Sequence, residues 1–183
     1  MTFFLAVVLI LIFCFGFVVA FGAPYLPTLG KQQQQALELL GLKPGQTMLE
    51  LGSGDGRMLI AAAKQGLNVV GYELNPILYF VSKIICFRYR HKIKIHFGNF
   101  WHKKWPEADA IFVFLHSRYM SKLDKKVKSS YSKKPIRLVS YAFEIPGKVP
   151  QKTEGAVYLY QYNELTFIQE NANIYTRQLK LKR

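Results

Sequence analysis

The chain has 183 residues, a length that suits one domain plus an appendage. Its 25 lysines and arginines against 11 acids give a net charge of +14, which is high for a chain of this length and indicates an anionic partner. The two cysteines, Cys14 and Cys86, belong to no CxxC pattern, which argues against a disulfide framework or a structural zinc, and no metal site is predicted.

The first segment of the chain is strongly apolar. Residues 1–30 carry no charged side chain, and residues 3–23 are apolar throughout apart from two glycines. A helix of that length spans roughly the 30 Å hydrocarbon core of a bilayer. A cleaved signal peptide would have a basic n-region, which is missing here, so an uncleaved transmembrane anchor at residues 1–23 is favoured. The positive charge that follows predicts a single-pass protein whose domain lies on the cytoplasmic or mitochondrial matrix side.

Residues 24–45 are predicted to form a linker and an N-terminal helix. Pro24 and Pro27 hold the residues before them in extended conformations. Thr28 can cap a helix over residues 29–40, and Gly41 can end that helix.

Residues 46–170 alternate apolar runs with helical patterns, which predicts one α/β domain. The predicted helices span residues 57–65, 76–90 and 121–131. The predicted strands span residues 47–51, 68–72, 94–97, 110–115, 136–143, 156–162 and 164–169. This order favours a Rossmann-like, doubly wound and mostly parallel sheet, and only Asn163 separates the last two strands, which should pair as an antiparallel hairpin. Residues 171–183 would form a basic tail.

A glycine-rich turn follows the first predicted strand, with glycines at 52, 54 and 56. Alternating glycines let the backbone turn sharply and approach a ligand. Glu73 directly follows the second predicted strand, 21 residues after Gly52, where an acid in such folds accepts hydrogen bonds from the ribose of a nucleotide. The pattern predicts an adenosine-containing cofactor, and the alternative is a glycine loop without a ligand in some other α/β unit.

The residues around this turn favour a cationic cofactor. A dinucleotide fingerprint would have its third glycine at position 57, which is Arg57. The carboxylates of Glu50 and Asp55 would repel a pyrophosphate and attract the sulfonium and ammonium groups of S-adenosylmethionine. We therefore predict S-adenosylmethionine, with NAD as the alternative.

The sequence from Glu50 to Gly56, together with Glu73, resembles the first motifs of the seven-strand (class I) methyltransferases. The chain also resembles a narrower group, the small membrane-anchored lysine methyltransferases. The features that carry this likeness are the predicted anchor, the Pro24–Thr28 segment, the alanines before Lys64 and the run from Gly71 to Pro76. That group includes the ATP-synthase c-subunit and adenine-nucleotide-translocase enzymes. The likeness extends from about residue 24 to 100, and it implies an S-adenosylmethionine-dependent protein-lysine methyltransferase.

The resemblance and the strand-end positions imply a set of cofactor contacts. The methionine moiety would lie by Glu50, Gly52, Gly54 and Asp55, the ribose by Glu73 and the adenine by Asn99. The complete predicted set is Glu50, Gly52, Ser53, Gly54, Asp55, Gly56, Glu73, Leu74, Asn99 and Phe100. Asn99 stands where the family has an aspartate, and the alternative role for it is that of a turn residue.

The segment after the fourth strand is predicted to address the methyl acceptor. His116 could take a proton from an ammonium nucleophile and Tyr119 could orient the amine, although a histidine at a strand end is more often structural. The segment lacks a proline that the family resemblance leads us to expect. An aromatic pocket is predicted from Tyr25, Trp101, Tyr119 and Phe143.

The basic surface has two possible partners. There is no acid between Glu73 and Glu107, and such patches suit the phosphates of nucleic acid or of lipid. With a membrane anchor predicted, we favour membrane lipid over nucleic acid.

We expect a monomer that methylates lysine in a membrane protein. The alternatives are a methyltransferase for a small or lipid-soluble acceptor and a non-catalytic cofactor-binding membrane protein.

Overall fold

The computed structural model describes residues 1, 4–5, 8–9, 30–132 and 134–162. Within these ranges no helix has both the length and the apolar character that crossing a bilayer requires. Most of the predicted anchor, the linker at 24–28, the strand at 164–169 and the basic tail lie outside the described residues.

A seven-stranded sheet forms the centre of the domain, in the order β3-β2-β1-β4-β5-β7-β6. Strands β1 to β5 run parallel, and β7 pairs antiparallel with both β5 and β6. This confirms the predicted mostly parallel α/β sheet. The strands are β1 (Thr47–Leu51), β2 (Asn68–Glu73), β3 (Ile93–Phe97), β4 (Ala110–Val113), β5 (Ile136–Tyr141), β6 (Lys152–Glu154) and β7 (Val157–Tyr162).

Two predicted strands are shorter than expected. The fourth ends at Val113 instead of Leu115, level with the end of β1, since Val113 lies opposite Leu51, the last residue of β1. The fifth ends at Tyr141 because Ala142 has a φ of 68°, outside the extended region. The hairpin partner of β7 among the described residues is β6, which the sequence pattern did not predict.

Within residues 30–162, helix α1 (Gly30–Leu40) precedes β1, and three α-helices lie between strands: α2 (Arg57–Lys64), α3 (Pro76–Ile85) and α4 (Met120–Ser130). Gly41 ends α1 in a left-handed conformation, and its N–H donates to the Leu37 carbonyl at 3.1 Å. The predicted helix 76–90 is wrong in its last third, because α3 gives way at Cys86 to a 3₁₀ turn over Cys86–Tyr89.

Apolar side chains cover both faces of the sheet, as a doubly wound fold requires. Met48 of β1 packs in the cluster beneath α1 and α2, and its neighbour Leu49 packs in the cluster on the opposite face with Leu123 of α4. The parallel strands therefore expose functional side chains only at their ends. Their carboxyl ends, including those of β1, β2 and β4, meet at one edge.

Candidate functional site

The glycine turn after β1 is held against β2 by backbone hydrogen bonds. The N–H groups of Gly52 and Ser53 both donate to the Tyr72 carbonyl at 2.9 Å. Gly52, Gly54 and Gly56 have φ values of 91°, 55° and 85°, a region that side chains with a Cβ rarely adopt. A Cβ at Gly52 would meet no heavy atom within 4 Å, so the backbone there borders open space. The turn thus presents bare backbone at the carboxyl edge of the sheet.

The carboxylate of Glu73 joins the glycine turn to the start of α3. One oxygen accepts the Gly54 N–H and the other accepts the Asn75 N–H, both at 2.7 Å. The side chain is only 7% exposed. Burial raises the pKa of Glu73, and hydrogen bonds from the surrounding backbone N–H groups partly offset that rise. A carboxylate offers about four acceptor positions, more than these N–H groups occupy, so Glu73 can still accept a hydroxyl donor of a ligand.

Glu50 is a buried acid whose charge is not fully compensated. It is 4% exposed, and its Oε2 has no hydrogen-bond partner among the described residues, as is also true of the Ser53 hydroxyl. Burial raises the pKa of Glu50 well above its usual range, and the Glu73 and Asp55 carboxylates raise it further. Unsatisfied buried acceptors are rare in folded proteins. A cationic ligand group would supply the missing partner, so the site fits the ammonium and sulfonium of S-adenosylmethionine.

Asp55 has a partner of its own. The Arg57 guanidinium contacts it through Nε at 3.0 Å and through Nη2 at 2.8 Å. The pair is partly exposed, so its contribution to stability is modest. The predicted contact of Asp55 with the methionine moiety stays a prediction.

The segment after β3 folds as a capped turn. Asn99 accepts the Trp101 N–H through its side-chain oxygen at 2.9 Å. Phe100 is buried, lies 4.6 Å from Trp101 between ring centroids, and accepts the Trp105 indole N–H at its carbonyl. This geometry matches the alternative role of Asn99 as a turn residue. Contacts of Asn99 and Phe100 with adenine stay predictions.

The segment after β4 brings aromatic rings together. His116 stacks on Phe143 with a centroid distance of 5.5 Å, and Tyr119 lies 6.1 Å from Trp101. The His116 Nδ1 accepts the Arg118 N–H at 3.3 Å, and the His116 carbonyl accepts the Tyr119 N–H at 2.9 Å. His116 therefore caps a turn that positions Tyr119, which is a structural role; proton transfer by His116 stays a prediction. Tyr25 lies outside the described residues.

Sequence reasoning missed two lysines that hold this region. The ammonium of Lys126 donates to the carbonyls of Trp101 and Lys103 at 3.0 and 3.2 Å, and that of Lys122 lies 4.6 Å from the centre of the Trp101 ring. Both side chains fix the turn after β3 against α4. Lysines on an amphipathic helix resemble an ordinary solvated face, so no local pattern distinguished them.

Glu50→Gln tests the uncompensated charge. In the cofactor-free protein we expect a higher melting temperature than that of the wild type at pH 8, and little difference near pH 4.5. A carboxyl whose folded pKa is raised loses stability as pH rises from its unfolded pKa through its folded pKa, and glutamine removes that loss. Thermal unfolding from pH 4 to 8 measures the difference. A difference that does not change with pH, or a wild type that gains on the variant as pH rises, contradicts the assignment.

Comparison with known proteins gives a consistent family. The model of the ANTKMT methyltransferase domain matches residues 50–152. The chain is 31% identical to the ATP synthase c-subunit lysine N-methyltransferase of Xenopus laevis, over 72% of this chain and 58% of that protein. It is 32% identical to a protein-lysine N-methyltransferase of Saccharolobus islandicus, over 77% and 94%. The chain thus spans less than two thirds of its Xenopus relative.

Among solved structures, the fold resembles an RNA methyltransferase from Salinibacter ruber, crystallised with S-adenosyl-L-homocysteine. The TM-score is 0.70 and the sequence identity 23%, over 76% of this chain and 95% of the other. At this identity the likeness concerns the fold.

Proposed function

The chain belongs to the ANTKMT methyltransferase-domain family, and we propose that it is an S-adenosylmethionine-dependent methyltransferase acting on lysine in a membrane protein. The observation that carries this proposal is the buried Glu50 carboxylate beside the glycine turn, with Oε2 unpartnered among the described residues. Family membership and the lysine methyltransferases among the relatives support the reaction class.

The cofactor would be held at the carboxyl ends of β1 and β2. Glu50 would face the cationic methionine moiety, Gly52 and Gly54 would let it approach the backbone, and Glu73 would accept the ribose hydroxyls. The cofactor supplies an electrophilic methyl group on a sulfonium. The protein supplies the position and the charge that hold it there.

The acceptor side is aromatic, and this favours a neutral amine. Trp101, Tyr119 and Phe143 would form a water-poor pocket that disfavours the charged form of lysine and so lowers its pKa. The neutral Nζ would attack the methyl carbon while the carbon–sulfur bond breaks. The proton of the resulting ammonium would then leave to His116 or to water. Alignment is the main contribution, since the methyl group is already electrophilic.

We also propose that residues 1–23 anchor the enzyme, with its domain on the cytoplasmic or mitochondrial matrix side. The support is the uncharged apolar run at residues 3–23, followed by a strongly basic chain. An enzyme held at the bilayer would meet lysines of integral membrane proteins as they emerge from it.

A tritiated-methyl assay tests the proposal. Membranes lacking the enzyme are mixed with carbonate-washed membranes that contain the full-length chain, in which an anchored protein is retained. We expect label on lysine in a protein band, lost with Glu73→Ala and kept with Glu107→Ala, which removes an exposed acid elsewhere.

Other outcomes separate the alternatives. Label in the lipid extract would select a lipid-soluble acceptor, and no label in any fraction, with the chain retained in the washed membranes, would select a non-catalytic protein. Loss of the chain from the carbonate pellet would contradict the anchor without bearing on the reaction.

A further inference from the structure

Helix α3 turns several of its large apolar side chains outward. Phe80 is 64% exposed and Ile84 76%, and Phe87 in the following 3₁₀ turn is 62% exposed. We call this surface the apolar face; it consists of Ile77, Phe80, Ile84, Ile85, Phe87 and Phe97. A group of large apolar side chains exposed on one helix and the turn after it marks an interaction site.

The packing of α3 explains why this face points outward. Ser82, one of its small residues, is fully buried, and Cys86 lies one turn later at the same side. A Cβ built on Gly56 would lie 2.6 Å from the Cys86 sulfur and 3.2 Å from the Ser82 Cβ. The helix therefore approaches the backbone of the glycine turn too closely for a large side chain to fit between them. The isoleucines and phenylalanines must occupy the other side.

Basic side chains surround the apolar face. Lys83, Arg88, Arg90 and Lys94 are all exposed, and the Arg90 guanidinium lies 4.5 Å from the centre of the Phe87 ring. No acid occurs between Glu73 and Glu107. Apolar side chains flanked by lysine and arginine are the signature of a helix that lies in a bilayer interface and contacts anionic headgroups.

We propose that the apolar face docks onto the surface of an anionic lipid bilayer. Two other occupants fit the charges less well. Residues 1–30 contain no acid to pair with these bases, and a second copy would place the same bases opposite one another. The proposal is independent of the reaction, since it concerns only this surface.

The position of the apolar face gives the docking a consequence. Ile77 lies four residues after Glu73, and Phe97 ends β3 and contacts Tyr79 of α3 with a ring distance of 5.5 Å. Docking would therefore set the carboxyl ends of β2 and β3 near the headgroups, with α3 between the headgroups and the glycine turn. A side chain emerging from the bilayer would reach those strand ends over a short distance.

Lipid photolabelling of the full-length protein tests the docking. The protein is reconstituted in phosphatidylcholine vesicles with 30% phosphatidylglycerol, and a carbene precursor on the acyl chain is activated. We expect peptides covering residues 76–90 to carry about fivefold more label than peptides covering 144–152, which include the exposed Val149. Without phosphatidylglycerol the excess should fall at least twofold, because the headgroup attraction is lost.

Matched variants sharpen the test. Phe80→Glu with Ile84→Glu should remove the excess label, while Val149→Glu should leave it unchanged. Both variants replace exposed side chains, and circular dichroism checks that they fold. Label at 76–90 no higher than at 144–152 overturns the proposal. Cross-links between residues 76–90 of two copies, with little lipid label there, also overturn it. So does labelling that is equal with and without anionic lipid.

Discussion

Replacing Glu73 by alanine is expected to weaken S-adenosylmethionine binding at least tenfold, about 1.4 kcal/mol or more. The substitution removes the carboxylate that would accept hydrogen bonds from the ribose hydroxyls. The Gly54 and Asn75 N–H groups, which each donate a hydrogen bond to this carboxylate at 2.7 Å, would lose their acceptor. The glycine turn would then lose its link to the start of α3. Isothermal calorimetry on the full-length protein in detergent measures both affinities.

Glu107→Ala is the matched control for this measurement. It removes one exposed acid on the loop before β4 and should bind like the wild type. Thermal unfolding checks that Glu73→Ala remains folded at the temperature of the titration. Equal affinity of wild type and Glu73→Ala would contradict the assignment, and tighter binding of NAD than of S-adenosylmethionine would favour a dinucleotide cofactor.

The sheet and the glycine turn could be predicted because their signals are local and strong. The run Thr47–Leu51 is buried on both faces, and the glycines after it adopt conformations that other residues avoid. The position of Glu73 at the end of the second strand could be predicted from the usual length of one strand–helix–strand unit. These features depend on neighbouring residues in the chain, so the sequence alone specifies them.

Other features depend on contacts between distant parts of the chain. Strand β6 has three polar or charged residues, and only its pairing with β7 across the Gly155 turn makes it a strand. Helix α3 buries Ser82 instead of one of its large apolar residues, because Gly56 lies against that side. The role of Asn99 as a cap likewise depends on how the turn after β3 closes. Single-sequence patterns carry no information on such partners.

Gly56→Ala is expected to destabilise the cofactor-free protein by about 3 kcal/mol. A φ of 85° costs a residue with a Cβ roughly 1–2 kcal/mol, and overpacking a buried site adds about 1–3 kcal/mol. The added Cβ would lie 2.6 Å from the Cys86 sulfur, so α3 would have to move away from the glycine turn. At 2–4 °C per kcal/mol for a chain of this size, the melting temperature should fall by roughly 6–12 °C.

Two further variants separate strain from crowding. Gly45 has nearly the same φ, 88°, but a Cβ there would meet no heavy atom within 4 Å, so Gly45→Ala measures the cost of the backbone conformation alone. If the contact with sulfur matters, Gly56→Ala combined with Cys86→Ala should cost at least about 0.5 kcal/mol less than the sum of the single changes. Equal losses for Gly45→Ala and Gly56→Ala, with an additive double variant, would mean that α3 does not pack closely on the turn. The apolar face would then lack the packing that holds it outward.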